Sequence, residues 1–203
     1  MGLGAQEPLP LSYFQQADVV ALARDLLGRY LVTEIEGKRT VGRITETEAY
    51  AGYGDKACHA HMERKTKRNQ IMYAAGGHAY VYLCYGIHHL FNIVTNREGQ
   101  ADAVLLRAVA PLEGIQHMLK RRGLEQPLPR LTAGPGNMSK ALGITTAQYG
   151  VLLDQPSLQV LRGEPVADQE VVSTARVGIG YAGEDALLPW RFYERHQRYV
   201  SKK

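Results

Sequence analysis

From Ala103 to Val109 the chain reads Ala-Val-Leu-Leu-Arg-Ala-Val, apolar at every position except Arg107. A run this short cannot span a bilayer, which needs about 18 or more apolar residues. It reads instead as a strand inside a folded domain. A guanidinium in such a run requires a carboxylate, a phosphate or an exposed face, and the run alone does not choose among them. Two further strand-like runs, Ala79 to Tyr85 and Leu90 to Thr95, precede it, so several strands must share one sheet.

The flanking segments supply the remaining elements. Asp18 reads as the N-cap of a helix through Val19, Leu22, Ala23, Leu26 and Leu27 that stops at Gly28. Runs from Tyr30 to Glu36 and Thr40 to Tyr50 form a hairpin turning through Glu36, Gly37 and Lys38. Pro111 is placed to start a helix carrying Leu112, Ile115, Met118 and Leu119 and ending at Gly123. A short helix follows Gly134-Pro135-Gly136-Asn137, and strands are expected near 151–153, 158–161 and 171–177, before an irregular end with Trp190 and Phe192. The order helix, strands, helix, strands predicts an α+β fold. It is expected to be a single domain over 12–203, with a curved, mostly antiparallel sheet, flanking helices and a flexible tail over residues 1–11. Gly178, Gly180 and Gly183 spell GxGxxG, but nothing helical with a downstream ribose-binding acid follows, so the dinucleotide fingerprint fails its context.

Charge and cysteine usage narrow the setting. Lys and Arg number 24 against 20 Asp and Glu, a formal charge of +4. The two cysteines, Cys58 and Cys84, make neither a disulfide framework nor a zinc quartet, which favours a reducing compartment. With no secretory leader pattern and no membrane span in the sequence, a cytoplasmic protein is expected, nucleoid-associated in a bacterium and nuclear in a eukaryote. Tyrosine is over-used, 12 residues against 3 Phe and 1 Trp, and six of them fall between Tyr50 and Tyr85. Cations meet phosphates and phenol rings stack on bases, so this balance is compatible with nucleic acid without requiring it.

Five features could carry chemistry. In Glu46-Thr47-Glu48-Ala49-Tyr50 a strand would put Glu46, Glu48 and Tyr50 on one face, where crowding would raise the pKa of one carboxyl, unless that face is simply solvated. Cys58, His59 and His61 are metal-ligand types at poor spacing for one ion, and His59 serves equally as a pocket wall. Tyr85 precedes Gly86 and would sit exposed at a turn, as a wedge between base pairs or as packing against a neighbouring loop. Asn92 interrupts an apolar strand, so its amide must be used on backbone or ligand. The long polar loop 51–77 carries Arg64, Lys65, Lys67 and Arg68, and long loops inside compact domains are usually functional.

Taken together, Arg43 to Tyr50, His59, Arg68-Asn69, Tyr80-Val81-Tyr82 with Tyr85-Gly86, Asn92, Val104 to Ala108 and Pro111 to Gly114 resemble the alkyladenine type of 3-methyladenine DNA glycosylase. Gly134-Pro135, Lys140 to Leu142, Ala175 to Gly180 and Arg191 to Tyr193 extend the resemblance, in order, across most of the chain. It implies a monofunctional DNA repair enzyme, acting as a monomer without metal or cofactor on double-stranded DNA. That enzyme would hydrolyse the bond between deoxyribose and an alkylated or deaminated purine, leaving an abasic site. By resemblance, Glu48 is the general base and Arg107 holds water and phosphate beside it. Tyr50, His59 and Tyr82 wall the base pocket, and Asn92 crowds the 2-amino group of normal guanine. Tyr85 fills the vacated stack, while Arg64, Lys65, Lys67, Arg68 and Asn69 meet the DNA. The implied fold is similar to the C-terminal domain of methionyl-tRNA formyltransferase. An electron-rich box of Tyr50 and Tyr82 would favour cationic bases. A non-catalytic damage binder, a helix-hairpin-helix glycosylase suggested by Leu131 to Gly136, and an RNA-binding module are the competing expectations.

Overall fold

Asp18 caps the first helix as its side chain predicts: its Oδ1 accepts from the backbone N–H groups of Val20 at 3.0 Å and Ala21 at 2.8 Å. That helix is α1 (Val19–Asp25), and Gly28 follows it at a φ of 86°. The computed structural model describes residues 6–202. Residues 1–5 of the expected tail lie outside the described residues. From Pro8, which bridges Leu161, the segment packs on the sheet, with Leu9 buried and its N–H donating to Val160.

The hairpin of β1 (Tyr30–Ile35) and β2 (Lys38–Tyr50) turns through Glu36 and Gly37, both at positive φ, the geometry of a type I′ turn. Next come β3 (Ala79–Cys84), β4 (His88–Thr95) and β5 (Asp102–Glu113), each antiparallel to its neighbour. Two helices, α2 (Ile115–Arg122) and α3 (Pro135–Leu142), separate β5 from β6 (Asp154–Gln155), β7 (Leu158–Leu161), β8 (Val171–Thr174) and β9 (Arg191–Glu194). The order across the sheet is β3-β4-β5-β2-β1-β7-β6, with β9 joined to both β2 and β8, and every pairing is antiparallel. The α+β expectation of one domain around a curved antiparallel sheet describes this arrangement.

Two local expectations are corrected and a third is refined. Pro111 is paired with Gly42 near the end of β5 and does not open a helix. The chain first turns at Gly114, whose φ is +71° and where an added Cβ would lie 2.2 Å from the carbonyl oxygen of Arg39. Residues 151–153 form only an isolated bridge, His78 to Leu152, before the two-residue β6. The end of the chain is largely irregular, as expected, but includes one strand: β9 lies beside the centre of β2, with Glu46 opposite Tyr193 and Glu48 opposite Arg191.

Strand β2 is the axis of the molecule. It pairs with β5 along 41–50 and shifts register on both sides of Glu46, so its carboxyl-bearing half bends away from the β1 hairpin. α1, α2 and α3 pack on β2, β4 and β5 and close the main core around Leu22, Leu26, Ile44, Phe91, Ile93, Leu106, Met118 and Leu142. A smaller cluster of Cys58, Met72, Tyr80, Val94 and Ala103 supports the loop 51–77. Among the described residues no helix is long and apolar enough to cross a membrane.

Candidate active site

Glu46 and Glu48 are both completely buried, so the solvated-face alternative does not apply. Burying two carboxylates on one strand is costly unless cations and N–H donors surround them. Arg107, from the facing strand β5, supplies the shared cation: its Nε donates to Glu46 Oε1 at 2.8 Å and its Nη1 lies 3.2 Å from Glu48 Oε1. Of the three options open to a lone guanidinium in an apolar strand, the carboxylate is realised. Arg107 is itself buried, and its Nη2 donates to Ser201 Oγ at 3.0 Å.

The two carboxylates are held differently. Glu46 Oε1 also accepts from Arg191 Nε at 2.8 Å and Ser201 Oγ at 2.7 Å, and its Oε2 accepts from the Ser201 N–H at 2.6 Å. Burial by itself would raise this carboxyl's pKa, but Arg107, Ser201 and Arg191 outweigh it and hold the group below the usual carboxylate range. Crowding was expected to raise one carboxyl; at Glu46 the direction is reversed because the neighbours are cations and donors. Glu48 Oε1 accepts the Val177 N–H at 2.7 Å, and Oε2 accepts the Tyr50 hydroxyl at 2.8 Å. Tyr50 holds its proton well above the ordinary range, through burial and then the charge of Glu48.

Above these groups opens a cavity of about 500 Å³ lined by Tyr50, His59, Tyr80, Tyr82, Asn92 and Arg107, among others. Its volume falls within the range of small-molecule sites. Tyr80 and Tyr82 come from β3 with ring centroids 5.3 Å apart, and His59 meets Tyr82 edge-on at 4.8 Å while its Nδ1 pairs with the Tyr80 hydroxyl at 2.8 Å. Burial, aided by Arg68 and Arg64, pushes the His59 pKa down to about 4, so the ring is neutral at physiological pH. Asn92 donates its amide to the Tyr80 carbonyl at 3.1 Å, the backbone use anticipated for a polar residue in that strand.

Tyr85 and Gly86 both take positive φ at the β3–β4 turn, and Ile87 N–H closes it on the Cys84 carbonyl at 3.1 Å. The Tyr85 ring is 90% exposed at the cavity rim, so packing against a neighbouring loop does not hold it. Arg64, Lys65, Lys67 and Arg68 are exposed along one loop. Asn69, expected on the DNA-facing surface with them, is buried. Its Oδ1 accepts from the Thr66 N–H and hydroxyl, and its Nδ2 donates to the carbonyls of His59 and Arg64. All of its hydrogen-bonding capacity goes into shaping the basic loop.

Arg176 and Arg191 were given no role from the sequence, and Arg68, expected on the DNA, also lines the cavity. Arg176 is clamped by Asp55 at 2.6 and 2.8 Å and lies 4.7 Å from the Tyr50 ring centroid; Arg68 stands 5.7 Å from that of Tyr82. Both rings of the expected cation box therefore already carry a protein guanidinium. Tyr80 is buried and lines the cavity, its hydroxyl paired with His59, whereas Tyr53 is 91% exposed. Arg176 and Arg191 repeat the pattern of Arg107, a lone arginine among strand-forming residues, and that was the usable signal. Cys58, Sγ against the Ala101 carbonyl, has its pKa pushed up by burial to about 12.

The model of the methylpurine-DNA glycosylase family matches residues 12–198. A Chlamydia felis protein is 48% identical over 91% of this chain and 94% of its own length. Relatives from Shouchella clausii, 42% identical over 97% of this chain and 96% of theirs, and Bacillus licheniformis, 44% identical over 98% of each, bear the same name, "Putative 3-methyladenine DNA glycosylase".

Proposed function

The chain belongs to the methylpurine-DNA glycosylase family, a DNA glycosylase with DNA as its substrate, and on that premise we propose that it extrudes an alkylated or deaminated purine from the duplex and hydrolyses its N-glycosidic bond. The observation that carries this reading is the position of Glu48: a carboxylate buried directly behind the wall of an aromatic cavity, held on one oxygen by Arg107 and Val177 and on the other by the Tyr50 hydroxyl, three partners that themselves line the cavity.

Extrusion of a base costs a few kcal/mol and is cheapest for a damaged, weakly paired one. Tyr85, exposed at the rim, fills the gap left in the stack, and the basic loop around Arg64 to Arg68 meets the phosphates while Asn69 holds the loop's shape. The base slides between Tyr50, His59 and Tyr82, with Asn92 against its edge. Glu48 takes a proton from water, the water oxygen bonds to the sugar C1′, and the C1′–N bond breaks with its electron pair going to the purine. The same carboxylate stabilises the oxocarbenium-like sugar on the way. An N3- or N7-alkylated purine is cationic and leaves as a neutral base, needing no acid. Within the cavity Tyr50, Tyr80 and Tyr82 hold their protons tightly through burial, and His59 is neutral, so a good leaving group is favoured. No lysine lines the cavity among the described residues, which supports simple hydrolysis over Schiff-base strand cleavage.

The same reading keeps the chain a monomer on one duplex and its sheet akin to the C-terminal domain of methionyl-tRNA formyltransferase. Its test is Glu48→Gln with duplexes carrying 7-methylguanine or hypoxanthine. Base release should be lost while the damaged duplex is still bound; release at the unaltered rate would remove Glu48 as the base.

A further inference from the structure

The segment after β9 folds back across β2 and ends its path on Glu46. Thr45 Oγ1 donates to the Tyr199 carbonyl at 2.6 Å, Tyr199 OH donates to the Pro127 carbonyl at 2.9 Å, Val200 is nearly buried, and Arg191 donates to the Lys202 carbonyl. Ser201 occupies a singular position in that strap. Its N–H and hydroxyl both donate to Glu46, at 2.6 and 2.7 Å, and its hydroxyl accepts from Arg107 Nη2 at 3.0 Å.

The consequence for the arginine is geometric. A guanidinium is a planar fork whose donors cannot be aimed independently. With Nε committed to Glu46 and Nη2 to Ser201, the Nη1 that lies 3.2 Å from Glu48 Oε1 has no remaining freedom. Among the described residues neither Glu46 nor Ser201 lines the cavity and neither side chain bonds to Glu48; the side-chain hydrogen-bonding path from both of them to the Glu48 carboxylate runs through Arg107.

We infer that Ser201 and Glu46 are positioning residues for base release: together they fix the Arg107 fork, and through it the orientation of the Glu48 carboxylate, so that the strap 199–202 is part of the catalytic centre. This rests on the glycosylase reading above.

The experiment uses the full chain, with Ser201→Ala, Ser201→Thr and Glu46→Gln, and reads single-turnover base release from a 7-methylguanine duplex beside equilibrium binding to the same duplex. Ser201→Ala keeps the backbone N–H but removes the hydroxyl from both Glu46 and Arg107. It should slow release roughly tenfold or more, the scale of a small misplacement of a reacting group, with the binding constant unchanged. Ser201→Thr restores the hydroxyl and should recover the rate to within about threefold. Adding Ser201→Ala to Glu46→Gln should slow release no further, since both act on one fork. Wild-type release by Ser201→Ala, or equal loss of rate and binding, or failure of threonine to rescue, would overturn the inference. If the wild-type chain itself releases no base, the glycosylase reading fails instead. If Glu46→Gln does not fold, the Ser201 pair decides alone.

Discussion

Arg107 stands between two carboxylates of one strand, with its Nη1 3.2 Å from the oxygen of Glu48 that also receives the Val177 N–H. Replacing it by methionine would leave Glu46 and Glu48 buried with much of their countercharge gone, Arg191 remaining only on Glu46. Breaking a buried pair in this way costs about 3–5 kcal/mol. Arg107→Met should therefore lower the urea midpoint strongly as well as stop base release. Arg107→Lys keeps the charge and should recover most of the stability but little of the activity, because an ammonium cannot serve three acceptors in a plane. Equal activity in the lysine variant would refute the fork geometry.

His59 makes a pH prediction whose sign is set by its depressed pKa. The folded chain holds the ring neutral down to about 4, while an unfolded histidine titrates near the ordinary 6.5. Stability from this group is complete above the unfolded value, declines as the pH falls below it, and has been lost once the folded value is passed. The slope in that window is at most about 1.4 kcal/mol per pH unit. His59→Gln should flatten the stability profile between those two values and leave the further acid loss, where Glu46 protonates, in place. A profile unchanged by the substitution would contradict the burial of the ring.

Arg68 makes a prediction about selectivity between charged and neutral lesions. Its guanidinium already occupies the neighbourhood of the Tyr82 ring, so a cationic base gains less there than it would from a free ring. An exposed cation–π contact is worth about 0.5–1 kcal/mol, or roughly a few-fold in rate. Arg68→Ala should raise release of 7-methylguanine relative to hypoxanthine by that factor, more at low salt than at high. A ratio that moves the other way would mean that the arginine helps to hold the base.

Tyr85→Ala should leave the melting temperature within the scatter of surface substitutions, since the ring is 90% exposed. Its cost should fall on duplex substrates, where a vacated stack must be filled. Release from the same lesion in single-stranded DNA should stay close to wild type. Equal losses on both substrates would show that the side chain acts on the pocket and not on the duplex.

Legibility of the fold from sequence followed the range over which each element is determined. The Asp18 cap, the turn at Glu36-Gly37 and the β3–β4 turn at Tyr85-Gly86 are local devices, and their residues announce them. Pro111 misled because its fixed φ suits a helix start and a strand end alike, and the carbonyl of Arg39 packed on Gly114 decides the matter. Strand β9 was missed because four residues carry little periodic signal and its pairing partner lies far back in the chain. Within the site, the shared face of Glu46, Glu48 and Tyr50 was readable from alternation, while the roles of Glu48, Tyr50 and Tyr82 came from the family resemblance alone. Asn69 was misplaced because nothing in a run of basic residues tells an amide that closes a loop from one that faces DNA. The Asp55–Arg176 clamp joins residues 121 positions apart, a relation that no spacing rule reaches.

The pairing of β9 with β2 also orders events on the ribosome. Glu46 and Glu48 leave the exit tunnel long before Arg191, which follows Glu46 by 145 positions, and Ser201 comes later still. Until those residues emerge, β2 lacks one of its strand partners and Glu46 lacks three of its four donors. Contacts between distant parts of a chain form late, after the entropy of closing the intervening loop has been overcome. A nascent chain halted before residue 191 can thus build the hairpins and the aromatic wall, yet its carboxylates have no reason to stay buried. On the proposed reading, competence to cut a glycosidic bond would wait for residues 191–201, so a chain halted before them should create no abasic sites.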